Sequence, residues 1–211
     1  MNKELFSRFS KEELAILKKL KTPYKVQEFI NSFKYNTGKR ICPLTVLRGK
    51  KADCVEAAVF ASAVLSFHNI KNFLVTLEAV RDEDHLLCVY KIGRKYGAVA
   101  QSKFVGLRSR YPVYSSVREL VMSYFEHYFN FFGEPSLRRY SVPYKLKSDF
   151  KWLYNNKVIY KIDKETSDIK FYSVLNNKKR LPRVDKVRFQ REILIFPENV
   201  RIGKQYKEKN N

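Results

Sequence analysis

Cys54 heads a run of small apolar residues, Ala52-Asp53-Cys54-Val55-Glu56-Ala57-Ala58, and His85 opens a second apolar run 31 positions later. A thiol and an imidazole are the minimum apparatus for nucleophilic catalysis through a thioester. The reactive species is the thiolate. A helix N-terminus or a neighbouring imidazolium favours it by supplying positive charge and N–H donors. Each residue alone also has a plain structural reading. A cysteine at the start of a buried helix serves as a small core residue, and a histidine at a strand start serves as a cap. Cys88 sits three residues beyond His85 and points to the opposite strand face, so it reads as core. Cys42 falls in an irregular stretch, and His68 and His127 read as structural.

The elements that must position the pair are legible. Asp53 and Glu56 have capping-box spacing, which puts Cys54 in the first turn of a helix running to Phe67. That helix is apolar on nearly every face and therefore reads as buried, with Asn69 suited to its left-handed exit. Ser10 with Glu13, and Thr22 with Pro23, start two earlier helices. Residues 35–49 read as irregular, punctuated by Gly38, Pro43 and Gly49. Strands are expected over Asn72–Val80, Leu86–Ile92 and Tyr96–Ser102, with a turn at Gly93-Arg94. A strongly aromatic helix is expected over Val117–Phe132. Beyond Pro135 the pattern predicts a short helix at Ser148–Tyr154 and strands at Val158–Ile162, Ile169–Val174, Val187–Phe189 and Ile193–Phe196. The reading is a first domain over residues 1–135 and a basic α+β extension over 136–211.

The chain has 211 residues, 45% of them hydrophobic, which is ample for a folded core. It contains no apolar run of 18 residues and no secretory leader, so a cytoplasmic protein without a membrane span is expected. Three irregularly spaced cysteines argue against a disulfide framework, and the absence of CxxC or paired-histidine spacing argues against a structural metal. No metal or organic cofactor is implied. Net charge is +21. Residues 136–211 hold 20 Lys/Arg against 8 Asp/Glu, and residues 1–135 hold 22 against 13. Such a bias suits nucleic acid or another polyanion, although no sequence-specific nucleic-acid motif is present.

The order of a cysteine-headed small-residue helix, a strand, a histidine-headed strand and a hairpin into a third strand resembles the transglutaminase-like superfamily. The stretches GKKADCVEAAVFASAVLSFHNI and DEDHLLCVYKIGRKYGAVAQS carry the likeness, which spans about residues 20–135. The run YGAVAQSKFVGLRSRYPVYSSVRELVMSYFEHYF is similar to an uncharacterised prokaryotic group within it. The resemblance implies an α+β fold with a papain/transglutaminase-like core, a buried cysteine helix on an antiparallel sheet. It also implies Cys54 as nucleophile, His85 as general base and acid, and a peptide or protein amide as substrate. The family pattern places an aspartate four residues after an aromatic. Here Tyr96 is followed by Ala100, and Gln101 or Ser102 stands nearest as a substitute for orienting His85. In a serine triad, exchanging the carboxylate for an amide costs about four orders of magnitude. A degenerate relative that binds a polyanion is therefore the competing reading. Lys103, Arg108 and Arg110 follow the third strand and are candidates for holding an acidic group of a substrate.

Overall fold

The computed structural model describes residues 7–176 and 179–194. The chain begins with helices α1 (Lys11–Lys19) and α2 (Pro23–Asn31). Both start as their caps predict. The Ser10–Glu13 capping box is complete, and Thr22 accepts the Lys25 N–H ahead of Pro23 at N1. Residues 43–49 are not irregular. They form α3 (Pro43–Gly49), which buries Leu44, Val46 and Leu47 and ends at a left-handed Lys50. A leading proline and an apolar i, i+2, i+3 set suffice in so short a helix, where periodicity has little room to show.

Helix α4 (Cys54–Phe67) starts at the Asp53–Glu56 capping box and is buried along almost its whole length. Strands β1 (Asn72–Ala79), β2 (His85–Ile92) and β3 (Lys95–Val99) follow as an antiparallel meander. Gly93, at φ +56°, supplies the left-handed turn position between β2 and β3. The third strand stops at Val99, short of the expected Ser102. The side-chain amide of Gln27 donates to the Ala100 carbonyl and accepts the Ala100 N–H, each at 3.0 Å. Helix α2 thereby takes over the hydrogen bonds that a ladder partner would otherwise satisfy.

Strand β4 (Arg110–Tyr114), helix α5 (Val117–Phe125), strand β5 (Leu137–Ser141), helix α6 (Asn156–Ser167), strand β6 (Phe171–Ser173) and helix α7 (Lys186–Leu194) complete the described elements. The sheet order is β4-β3-β2-β1-β5-β6, and every pairing is antiparallel. The fold is α+β.

Several expectations need correction. Helix α5 ends at Phe125, not Phe132. No single helix face can bury so many aromatics, so the chain turns, and the Tyr128 hydroxyl donates to the Glu83 carbonyl at 2.7 Å. Residues 158–162 lie in α6, not in a strand. Ile159, Ile162 and Thr166 are the buried positions, at helical spacing, while the Val158/Tyr160/Ile162 alternation only imitates a strand. Val187–Phe189 belongs to α7, whose start is secured by Asp185 accepting the Arg188 N–H. Of Ile193–Phe196, the first two residues are helical and the others lie outside the described residues. Around Ser148–Tyr154 only a single 3₁₀ turn forms, at Lys151–Leu153. Strands β4 and β5 were not expected.

Residues after 136 enter the same sheet, with β5 beside β1, and α6 packs against the α4 side. The sheet separates two apolar cores. Leu74, Leu86, Cys88 and Tyr90 face α1–α4 and α6, whereas Val75, Leu77, Leu87 and Val89 face α5. Because β2 is covered on both sides, it reads as a continuous apolar run. Among the described residues no helix is long and apolar enough to cross a membrane.

Candidate functional site

Cys54 is the first residue of α4 and His85 the first residue of β2. Both line a cleft of about 840 Å³ and a smaller cavity of about 130 Å³ beside it. Tyr35, Asp82, Glu83, Asp84 and Lys103 are shared by the two walls. The larger cavity continues to Arg40, Asp53 and, from α6, Tyr160 and Asp163. The smaller one is lined by Phe104, Leu107, Tyr128, Phe129 and Phe131. Cys54 and His85 thus stand between a polar, acid-rich room and an aromatic one.

The capping box fixes the cysteine. Glu56 is fully buried. It accepts from the Asp53 N–H at 3.0 Å, the Ile41 N–H at 2.9 Å and the Asn36 amide at 2.7 Å. Asp53 caps Glu56 and pairs with Arg40, which also reaches Asp163 at 2.8 Å. One guanidinium therefore ties Asp53 at the head of α4 to Asp163 in α6, the latter 123 residues from Arg40 itself. Burial raises the Cys54 thiol above its ordinary value, while the Leu86 backbone N–H facing the sulfur and the Arg40 charge act in the opposite direction. The resting sulfur is therefore a thiol at neutral pH. The helix terminus alone had suggested a thiolate, but withdrawal from water outweighs it.

No protein-family model matches the chain, and none of the curated proteins matches it in sequence. The reading of the site therefore rests on its geometry.

His85 is only 4% exposed, and its Nε2 lies 2.7 Å from the Leu107 carbonyl. A carbonyl oxygen can only accept, so Nε2 carries the proton and Nδ1 keeps a lone pair. The carbonyl does the work expected of an orienting side chain. Burial pushes the imidazole down to about 4, with the Leu107 bond opposing that shift and Arg110 adding to it.

The other sequence-derived candidates are placed as follows. Gln101 is buried away from both cavities. It reaches the Ile30 carbonyl at 3.5 Å and accepts the Ser102 N–H at 3.2 Å. Ser102 lines the smaller cavity, with its hydroxyl accepting the Phe104 N–H at 3.0 Å. Lys103 lines both cavities and lays its ammonium 5.0 Å from the centre of the Tyr35 ring.

Arg108 and Arg110 line neither cavity. Arg108 donates to the Ser102 carbonyl at 3.0 Å. Arg110 donates to the carbonyls of Gly106 at 2.7 Å and Ser123 at 3.0 Å, with its guanidinium over Tyr124. Both brace the 3₁₀ turn Val105–Leu107, and so hold the carbonyl that orients His85. The groups that sequence reasoning missed are the Leu107 carbonyl, the Leu86 N–H, Tyr35 and the Arg40–Asp163 pair. The first two belong to the backbone, and the others come together only through the fold.

Proposed function

We propose that the chain is a cysteine-dependent acyl-transfer enzyme with a papain/transglutaminase-like core, acting on peptide or protein amides. One observation carries the reading: Cys54 and His85 share one cleft, and the imidazole is held in the tautomer that leaves Nδ1 free as a base. In this scheme Nδ1 takes the thiol proton as sulfur attacks the carbonyl carbon, and then returns it to the departing amine. Water or a second amine next attacks the thioester, giving hydrolysis or transamidation. Asp82, Glu83, Asp84 and Asp163 on the larger cavity suit a cationic side chain or amine. Three free thiols accord with a reducing, cytoplasmic setting.

The test is acylation by p-nitrophenyl acetate, read by intact mass and peptide mapping, with and without added cadaverine. An acetyl group on Cys54, absent from Cys54→Ser and at least tenfold slower in His85→Ala, supports the reading. Turnover by water or by cadaverine then separates hydrolysis from transamidation. Labelling that ignores both substitutions ends it.

A second reading rests on a different face. An open hollow of about 760 Å³ is lined by Arg8, Lys151 and Lys157, with Asn155, Asn156 and Tyr154. It would hold nucleic acid or another polyanion outside the acidic cleft. Binding of a single-stranded oligonucleotide that weakens steeply between 50 and 200 mM salt is expected for this reading, and salt-insensitive binding argues against it.

A further inference from the structure

We infer that the Tyr35 hydroxyl is an oxyanion donor, acting with the backbone N–H of Cys54 on the carbonyl oxygen of the substrate. The inference rests on the acyl-transfer reading above and adds the group that would stabilise its tetrahedral intermediate.

Tyr35 lies 19 residues before the nucleophile, yet the backbone pins it to the head of α4. Lys34 donates to the Lys50 carbonyl and accepts the Ala52 N–H, both at 3.0 Å, forming a short parallel bridge. On the other side the Asn36 amide is held by the buried Glu56 carboxylate. Tyr35 is thus clamped between two anchors on the segment that carries Cys54. Its ring lies under the Lys103 ammonium, and it lines both cavities with Cys54 and His85.

The hydroxyl has no hydrogen-bond partner among the described residues. Burial, reinforced by the electrostatic effect of Cys54, raises the phenol above its ordinary value, so it remains a neutral O–H donor at working pH. Cys54 is the first residue of α4, and Asp53 caps the N–H of Glu56 rather than that of Cys54. The N–H groups of a first helical turn have no partners within the helix. Two donors of different origin, a side-chain hydroxyl and a helix-terminal N–H, therefore belong to residues that line the same cavities. When the Cys54 sulfur bonds to a carbonyl carbon, the π pair moves onto oxygen and the thiol proton passes to His85 Nδ1. With p-nitrophenyl acetate, collapse re-forms the carbonyl and expels p-nitrophenolate, leaving the acetyl thioester; His85 then releases its proton to solvent. Donors aimed at that oxygen are worth about 10²–10³ in rate each.

The experiment compares two reactions of the same sulfur in wild type and Tyr35→Phe, which keeps the ring beneath Lys103. Acylation by p-nitrophenyl acetate builds an oxyanion, whereas alkylation by iodoacetamide does not. The expected result is a loss of about 100-fold in the acylation rate, with alkylation within twofold of wild type and an unchanged melting temperature. Equal loss in both reactions would assign Tyr35 to thiol positioning, and no loss in acylation would remove it from catalysis; either overturns the inference while the acyl-transfer reading stands on the wild-type acylation of Cys54. A wild-type protein that is never acylated on Cys54 overturns the acyl-transfer reading and this inference together.

Discussion

The protonation state of the resting pair can be tested directly, by following Cys54 alkylation with pH. An imidazole at about 4 is neutral throughout the physiological range. Even an unperturbed thiol, at about 8.5, would lie between four and five units above it. Moving the proton from sulfur to Nδ1 would then be uphill by about 6 kcal/mol, at 1.36 kcal/mol per unit. From the same relation, and before the attraction between the two charges is counted, only about one molecule in 10⁴ to 10⁵ would hold a thiolate–imidazolium pair. Burial of the sulfur makes that fraction smaller still. In the proposed reaction, proton transfer must therefore accompany attack on the carbonyl carbon, with no reactive thiolate formed beforehand. Iodoacetamide labelling of Cys54, resolved by peptide mass spectrometry from pH 5 to 10, should stay slow to pH 8 and climb only in the alkaline range. His85→Ala should leave that profile within twofold, because the neutral imidazole adds no charge to the resting site, while Cys54 acylation by p-nitrophenyl acetate falls at least tenfold. A rate that levels off below pH 7 and loses its plateau in His85→Ala would refute the reasoning, since it demonstrates a preformed ion pair.

Two further outcomes follow from named contacts. A Cβ on Gly106 would lie 2.6 Å from Cβ, Cγ and Nδ1 of His127, so Gly106→Ala must shift the turn that presents the Leu107 carbonyl. Acylation of Cys54 should fall by about 10–100-fold, the scale of a misplacement near 1 Å, and His127→Ala in the same chain should restore most of it; loss without rescue would place the effect elsewhere. Stability should also depend on pH through two opposed groups. Burial pushes the Asp82 carboxyl up to about 6, so its contribution is complete below about 4 and is lost as pH rises through 6. His85 is held down to about 4, so its contribution is present above about 6.5 and is lost as pH falls through 4. Each amounts to about 3 kcal/mol, and across pH 4–6 they offset one another. In Asp82→Asn, urea midpoints should therefore rise with pH over this window more steeply than in wild type, and equal slopes would deny Asp82 its raised value.

The outcome at each element depended on how far its information reaches along the chain. Caps and helix starts were legible because they are local: Ser10 with Glu13, Thr22 with Pro23, and Asp53 with Glu56 each act within three residues. Residues 158–162 misled because Val158, Tyr160 and Ile162 alternate over five positions, while the helical set Ile159, Ile162 and Thr166 needs eight to declare itself. Strand β5 escaped notice because two of the five residues of LRRYS are arginines, and its buried Arg138 keeps its charge by donating to the carbonyls of Pro135 and Leu137. At the site, Cys54 and His85 were legible as residue types, but the partner of His85 was not. A search for an orienting side chain around Ala100 had to fail, because the acceptor is the backbone carbonyl of Leu107, a group that every residue carries. What specifies it is indirect: Gly106 leaves room for His127, and Arg108 and Arg110 tie down the turn. Two arginines first read as substrate contacts thus act one step behind the imidazole. Inserting the missing carboxylate at Ala100, which is fully buried on the α5 side and whose backbone groups are taken by Gln27, would bury an unpaired charge in an apolar core and leave the Leu107 bond in place.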